Sequence, residues 1–431
     1  MPTQSIATLI NNASGMEDYD PNSMSVANAR YFIKQFLSPV NETEVLPLHL
    51  SLGRVLATDI LSPANVPNYN NSAMDGYAFH ADDIKQGEAT LLRVVGTILA
   101  GKRFTGNINR NECVRIMTGA MMPAGTDTVI MQEKISIDAD HITFTEAPKR
   151  AANVRYAGED LQTGQVVLAA GHLMRPADLG LIASLGIGEV AVYRKLKVAF
   201  FSTGDELASI GQTLKTGQVY DSNRYTLYGM LNRLDIEVID MGAIADDPKL
   251  LENTLLAAAE QADVIITSGG VSVGEADYMK LLLTKHGQVM FWKIAMKPGK
   301  PLAYGKIQAS NTRSAHYFGL PGNPVAVMVT FYQFVREALL ILMGQPNPPA
   351  LPLFKVECTK AIRKLTGRTE FQRGLLFADG DGGWKVTPTG AQGSAILSSM
   401  SLANCFIVLD ETVGNLDAGA MVNVQVLDGV I

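Results

Sequence analysis

Cysteine is scarce in this sequence, with Cys113, Cys358 and Cys405 the only three among 431 residues. An odd number at long spacings predicts neither a disulfide framework nor a thiolate metal cluster, and a reducing cytosol fits best. The six histidines lack metal-ligand spacing, and neither a Ser–His–Asp order nor a G-x-S-x-G elbow occurs. Zinc-hydrolase and serine-hydrolase chemistry are thereby set aside. Positive charge is not concentrated either: 36 Lys and Arg stand against 42 Asp and Glu, a net charge of −6. No segment is basic enough to coat a nucleic acid or an anionic membrane, so neither is expected as a partner. No Lys or Arg precedes the short apolar run within Met1 to Ile10, so a secretory signal is not expected. The most apolar stretch, Pro324 to Met343, is interrupted by Gln333, Arg336 and Glu337. It falls short of the roughly 20 apolar residues of a membrane span and reads as a buried helix.

What is present is an ordinary globular balance, 47% apolar and 18% charged. At roughly 100–200 residues per domain, two to four domains are expected. Residues 1–24 hold turn formers without an apolar period and read as a loose leader. Ser25 is placed as N-cap of a helix whose apolar positions are Val26, Ala29, Ile33, Phe36 and Leu37. Short β-type runs between about Pro63 and Lys149 predict a small β-rich domain. Pro176 then marks a helix start and Gly186 its end. From Lys195 to Met343 apolar strands alternate with helices, which predicts βαβ units and a mostly parallel sheet covered on both faces. The last stretch returns to short strands around the Asp379-Gly380-Asp381-Gly382-Gly383 turn, as expected of a small β-barrel or sandwich. No repeat of 20–50 residues is visible.

In an open α/β sheet, ligands bind beyond the carboxyl ends of the strands, so the loops leaving those ends carry the chemistry. The loop Ser268-Gly269-Gly270-Val271-Ser272-Val273-Gly274-Glu275 joins an apolar strand to a helix and reads as a phosphate cradle. It lacks the ending of a P-loop and the spacing of a dinucleotide fingerprint. An ordinary glycine-rich turn is the plainer reading. In Asp246-Asp247-Pro248, capping explains Asp247 and leaves Asp246 without a structural task. With Asp205, Glu206 and Asp277 it would form a carboxylate cluster suited to Mg²⁺, or simply a solvated acidic rim. Lys293, Lys297 and Lys300 bring positive charge to the same sheet end, on a loop stiffened by Pro298, Gly299 and Pro301. That loop reads as an anion clamp or as a tight turn with solvated lysines. Asn323 and Pro324 form a further N-cap and N1 pair.

Seven motifs occur here in one order: Asn71 to Ala78, Arg115 to Ala120, Gly158-Glu159-Asp160, Ser202 to Leu207, Ser268 to Asp277, Lys297 to Pro301 and Gly319 to Pro324. Together they resemble the molybdopterin molybdenumtransferase family, MoeA in bacteria and the E domain of gephyrin in animals, from about residue 25 to near the C-terminus. The resemblance implies molybdenum-cofactor synthesis. Adenylylated molybdopterin and molybdate are the substrates, Mg²⁺ is the cation, AMP is released, and molybdenum is left on the pterin dithiolene. It also implies an elongated cytoplasmic homodimer, its cleft shared between subunits, with transient contact to the adenylyltransferase that makes the substrate. The expected architecture is multidomain α/β plus β. Residues 25–61 and 151–194 form a discontinuous N-terminal mixed domain, 62–150 a β-rich insert, 195–344 a three-layer α/β molybdopterin-binding domain and 345–431 a small β-barrel.

Carried over residue by residue, the resemblance implies that Asp75, Thr118, Glu206, Asp246 and Asp277 serve the reaction. Of these, Glu206, Asp246 and Asp277 would be metal ligands. Lys293, Lys297 and Ser394 match oxyanion-binding positions, Pro321 and Pro324 shape the pocket wall, and Gly269, Gly270, Val271, Ser272 and Gly274 match the pterin-phosphate site. Asn70 departs from the Asp common at its position. In the expected reaction, water or a molybdate oxygen attacks the Mg²⁺-polarised anhydride while Lys293 or Lys297 offsets developing charge. Two alternatives are kept, a non-catalytic molybdopterin-binding scaffold and the adenylyltransferase itself. Intact acidic and lysine positions disfavour the first, and the chain's extra segments disfavour the second. Tungstate has nearly the size and charge of molybdate, and no residue here separates them.

Overall fold

Ser25 caps the first helix, Val26–Gln35, as its position predicts; its Oγ accepts from Asn28 N at 3.1 Å. The computed structural model describes residues 23–85, 87–270, 278–310, 313–380 and 382–427. Within them the chain gathers into two units: residues 46–52 with 58–190, and residues 23–45 and 53–57 with everything from 191 onward.

The smaller unit is built on a six-stranded sheet in the order 128–131, 76–79, 112–116, 90–98, 141–144, 136–138. Strand side chains alternate between faces, so Tyr77, Phe79 and Ile130 enter one apolar cluster while Ala78 and Val129 enter another on the opposite face. Both faces are therefore covered. Ile60–Leu61 pairs antiparallel with Val166–Leu168, and Asn71–Ser72 with Val154–Arg155, which returns the later segment to the earlier one.

Pro176–Ser184 is helical with Pro176 at N1, and Gly186 follows the C-cap at φ +75°. Ile187 N donates to Ile182 O, and Gly186 N to Ala183 O, closing the helix end. Its start is held by buried Asp178, whose Oδ2 accepts from Arg175 N and His172 Nε2, both at 2.8 Å. Burial pushes this carboxyl up, but hydrogen bonds from Arg175 and His172 outweigh it and hold it at about 2, below its usual 3.8. A depressed carboxyl stabilises the fold above its unfolded value, and that stability drains away as pH falls toward 2, amounting to about 1–2 kcal/mol. Asp178→Asn should lower the urea midpoint at about pH 7 and converge with the parent near pH 2; equal midpoints at neutral pH would remove Asp178 from this account.

The larger unit carries the α/β sheet. Its strands are β1 (Lys197–Thr203), β2 (Glu237–Ile244), β3 (Val264–Ser268), β4 (Gly287–Lys293), β5 (Pro301–Gln308) and β6 (Ser314–Leu320), in the order β2-β1-β3-β6-β5-β4. β2, β1, β3 and β6 pair in parallel, whereas β5 runs antiparallel to both β6 and β4. At the β4 edge, therefore, β5 alone runs against the rest of the mostly parallel sheet. The reason is connection length: residues 294–300 and 309–313 are long enough for hairpins and too short for a crossover helix. Helices α1 (Ser222–Asn232), α2 (Pro248–Gln261), α3 (Tyr278–His286) and α4 (Pro324–Leu342) complete the three layers. Leu251, Leu255, Met279 and Leu283 of α2 and α3 pack on Ala199, Phe201, Ile265 and Tyr317 of the sheet.

Helix α4 is apolar enough to cross a membrane by composition, but 83% of its most apolar window is buried inside the protein, as the interrupting polar residues predict. Its middle, Phe331–Val335, widens into a π turn where the Gln333 carbonyl accepts from Arg30 Nε at 2.8 Å. The opening helix is thereby tied into the larger unit, with Lys34 paired to Glu337 at 2.6 Å.

Beyond α4, strands β7 (Leu353–Cys358), β8 (Thr369–Ala378), β9 (Trp384–Pro388), β10 (Cys405–Leu409) and β11 (Met421–Val426) close into a ring, β8-β9-β7-β11-β10-β8. Closure leaves no unpaired edge, and Val356, Cys358, Val386, Cys405, Ile407 and Val424 fill the interior. All three cysteines are free and buried, and burial pushes the Cys113 and Cys405 thiols up to about 12. They are packing residues and not nucleophiles.

Candidate active site

Three parts of the larger unit converge on one cavity of about 670 Å³: the β4–β5 loop, the turn after β6 with the start of α4, and the barrel, which contributes Arg368 and residues 392–394. In the β4–β5 loop, Ile294 N donates to Lys300 O, the Lys297–Pro298 peptide is cis, and the Lys297 and Lys300 side chains stand exposed at the rim. Met296–Lys297 pairs in parallel with the start of β8, Lys297 opposite Glu370. That register brings Arg368 onto the cavity wall beside both lysines. After β6, Pro321, Gly322 and Asn323 line the opposite side. Asn323 occupies the N-cap position of α4, but its side chain makes no capping hydrogen bond. The N-cap and N1 pair stands as the sequence predicts, and Asn323 also lines the cavity. The third part is the barrel loop ending in Ser394, whose carbonyl accepts from Val325 N at 3.1 Å at the first turn of α4.

The glycine turn that leaves β3 neighbours this cavity through Gly322. Gly269 and Gly270 leave β3 at φ +90° and +67°, Gly269 N donates to Leu320 O, and a Cβ added to Gly322 would lie 4.0 Å from Gly269 Cα. Asn223, near the start of α1, donates from Nδ2 to the Gly322 carbonyl at 2.8 Å. Ser202 and Ser268, at the ends of β1 and β3, share a 3.0 Å hydrogen bond, and Ser202 donates to Asp221. Residues Val271, Ser272, Gly274 and Asp277 lie outside the described residues.

On the far side of the sheet end, Asp205 Oδ1 accepts from Asp246 N at 3.0 Å. Burial, then the charges of Asp205 and Glu206, push the Asp246 carboxyl up. Neighbouring carboxylates that raise one another mark a place where a cation would be favourable. One or two carboxylates is also what Mg²⁺ usually takes from protein, the rest being water and phosphate oxygens. Among the described residues no three His, Cys, Asp or Glu side chains converge as a metal site. Asp247 does cap α2, accepting from Leu250 N at 2.9 Å.

Lys293 ends β4 half-buried and does not line the cavity, and Pro324 occupies N1 of α4. In the smaller unit, Asp75 Oδ1 accepts from Thr118 N at 2.7 Å and Thr118 Oγ1 at 2.8 Å. These bonds, the backbone one foremost, hold the half-buried Asp75 carboxyl below its ordinary value. Asn70 holds a turn, accepting from Ala157 N at 2.9 Å. Sequence reasoning missed Arg368 and the buried polar residues Glu370, Gln372 and Arg373 behind it. Their signal was there to read: charges packed into a strand of an otherwise apolar barrel are rarely tolerated without a task.

Three family descriptions match along the chain: the MoeA N-terminal region (domains I and II) over residues 24–186, a probable molybdopterin binding domain over 199–340, and the MoeA C-terminal region (domain IV) over 355–427. A molybdopterin molybdenumtransferase of Haemophilus influenzae is 46% identical over 93% of this chain and 98% of its own length. The chain belongs to the molybdopterin molybdenumtransferase family. It is an enzyme of molybdenum-cofactor synthesis. The gephyrin of Dictyostelium discoideum, 34% identical over 89% of this chain, is matched over 59% of its own length. The molybdopterin biosynthesis MoeA protein of Pyrococcus horikoshii has the same fold, with a TM-score of 0.81, 27% identity and coverage of 94% and 100% of the two chains. Family membership accounts for the order in which cradle, clamp and barrel follow one another.

Proposed function

We propose that this enzyme inserts molybdenum from molybdate by cleaving adenylylated molybdopterin, with AMP as leaving group and Mg²⁺ at the carboxylates. The observation that carries the proposal is the cation-walled cavity beside the glycine cradle. Lys297, Lys300 and Arg368 offer positive charge and N–H donors to a small oxyanion, with Ser394 beside them. Gly269, where the glycine loop begins, neighbours Gly322 of the cavity lining, which supports a pterin phosphate being held near the molybdate. Proximity of this kind is a large part of what such a site can contribute. Asp246, with Glu206 and Asp277, would hold Mg²⁺, which when bound supplies positive charge to the phosphoanhydride. Lys293 or Lys297 would offset charge developing on the anhydride oxygens, Lys297 from the cavity lining and Lys293 from the end of β4; Pro321 would shape the wall, Pro324 the helix start behind it, and Asp75 and Thr118 would belong to the substrate-handling set.

The four-domain division, the homodimer, the cytoplasmic setting and transient contact with the adenylyltransferase belong to the same reading. Family resemblance supports the first, second and last; three free buried thiols support the third. The test is AMP release by the purified protein from adenylylated molybdopterin and Mg²⁺, with and without molybdate, beside an Asp277→Asn variant. Molybdate-dependent release, lost in the folded variant, is expected. Tight pterin binding without release would replace this reading by a scaffold, and consumption of ATP to make the adenylylated pterin would replace it by an adenylyltransferase.

A further inference from the structure

Behind the cavity wall stands a carboxylate with no part in the reaction just described. Glu370 is 2% exposed, one residue into β8, and the parallel bridge sets it opposite Lys297. Its Oε1 accepts from Arg368 Nη2 at 3.1 Å and Nε at 3.2 Å, and Lys297 Nζ lies 3.8 Å from the same oxygen. Its Oε2 accepts from buried Gln372 Nε2 at 3.1 Å. The main chain beside it is pinned as well, Thr369 N donating to Ala295 O at 2.9 Å. Glu370 is thus held on both oxygens, and its neighbour Thr369 at the backbone, while Arg368 and Lys297 keep 38% and 46% of their side-chain surface toward solvent and the cavity.

A buried carboxylate at this place has two opposed effects. Its charge subtracts from the attraction that the cations exert on any anion. Its hydrogen bonds fix two long side chains that would otherwise lose rotamer freedom when a ligand arrives. Arg has a rigid fork of donors; with Nε and Nη2 engaged by Glu370, the remaining N–H groups are aimed and not sampled. A small tetrahedral dianion needs donors from several fixed directions, so orientation outweighs the lost charge.

We propose that Glu370 is a positioning residue of the oxyanion seat, aiming Arg368 and Lys297 at the cavity from within the barrel. The barrel then supplies working parts of the site and is not an appendage. This inference rests on the reading of the cavity as the molybdate seat.

Equilibrium dialysis with molybdate, together with AMP-release kinetics, separates the two. Glu370→Gln keeps the side chain's shape and should weaken molybdate binding about tenfold and raise the molybdate KM in step. The KM for adenylylated molybdopterin should stay within about twofold, and kcat at saturating molybdate should fall by less than the molybdate affinity does, a split that general loss of structure would not give. Arg368→Ala should weaken binding at least as much, and the double variant should be no weaker than Arg368→Ala alone, because residues acting through one another are not additive. Gln372→Met leaves the Glu370 charge in place, frees Oε2, and should shift molybdate binding about threefold in the same direction. It carries the test if Glu370→Gln does not fold. Unchanged or tighter molybdate binding by Glu370→Gln, additive losses, or a fall in kcat alone would overturn the role of Glu370 while leaving the seat intact. No molybdate binding by the parent protein, or none lost in Arg368→Ala, would overturn the seat itself and the inference with it.

Discussion

Arg373→Met should destabilise the barrel by about 3–5 kcal/mol and raise the molybdate KM at least about tenfold. Arg373 is 1% exposed and spends its guanidinium on one loop: Nη1 donates to Gln392 O at 3.2 Å, Nη2 to Ala391 O at 3.2 Å and Gly393 O at 3.0 Å, and Nε to Ser399 Oγ at 2.9 Å. Its backbone N donates to Gln392 Oε1 at 2.8 Å, and its carbonyl accepts from Gln392 Nε2 at 3.1 Å. Burial lowers its pKa to about 10, so the side chain is still charged at neutral pH. Replacing a whole buried polar group by apolar side chains can be neutral, but here three carbonyls would remain without their donor, and orphaned acceptors dominate the balance. The loop they belong to presents Ser394, so stability and anion binding should fall together. Arg373→Lys should rescue neither fully, since a single ammonium cannot reproduce the guanidinium fork. Chemical unfolding and molybdate titration check this; an unchanged midpoint in Arg373→Met would refute it.

Gly269→Ala should abolish most AMP release, a loss of about a hundredfold or more, for a reason confined to one atom. At φ +90° an added Cβ would lie 2.7 Å from the Thr203 carbonyl oxygen and 3.0 Å from its Oγ1. Thr203 cannot retreat easily, because it ends the central strand β1 in register with Ile244 of β2. The strain of a non-glycine residue there, about 1–3 kcal/mol, adds to the clash. The chain must then leave β3 in another direction, carrying the cradle away from the cavity. The rest of the sheet should be untouched, so far-UV circular dichroism should match the parent while pterin binding and turnover fall. Near-normal turnover would show that the cradle does not need this backbone path.

Much of this was legible in the residues themselves. Ser25, Asp247 and Pro176 mark helix starts because capping is decided within one turn. The strand–helix alternation from Lys195 onward shows as apolar periodicity, and the apolar α4 betrays its burial through the polar residues that interrupt it. The antiparallel edge made by β4 and β5 was harder to read, since apolar runs carry no direction. Asn323 does stand at the N-cap of α4 as expected, but whether an N-cap side chain turns to the helix or to a cavity is not visible in sequence.

The sequence by itself determined the element types, the glycines that leave β3, the lysine loop and the acidic positions at the strand ends, because these depend on propensity and on residues a few places apart. Only the tertiary structure decided that Arg368, 71 residues from Lys297, shares its cavity, that Glu370 stands behind both, and that Arg373 holds the loop of Ser394. Such contacts follow from barrel closure and from the register between Met296–Lys297 and Thr369–Glu370. A one-residue slip in that register would exchange which side chains face the cavity. Register over that distance is settled by packing of the whole unit and by no local signal.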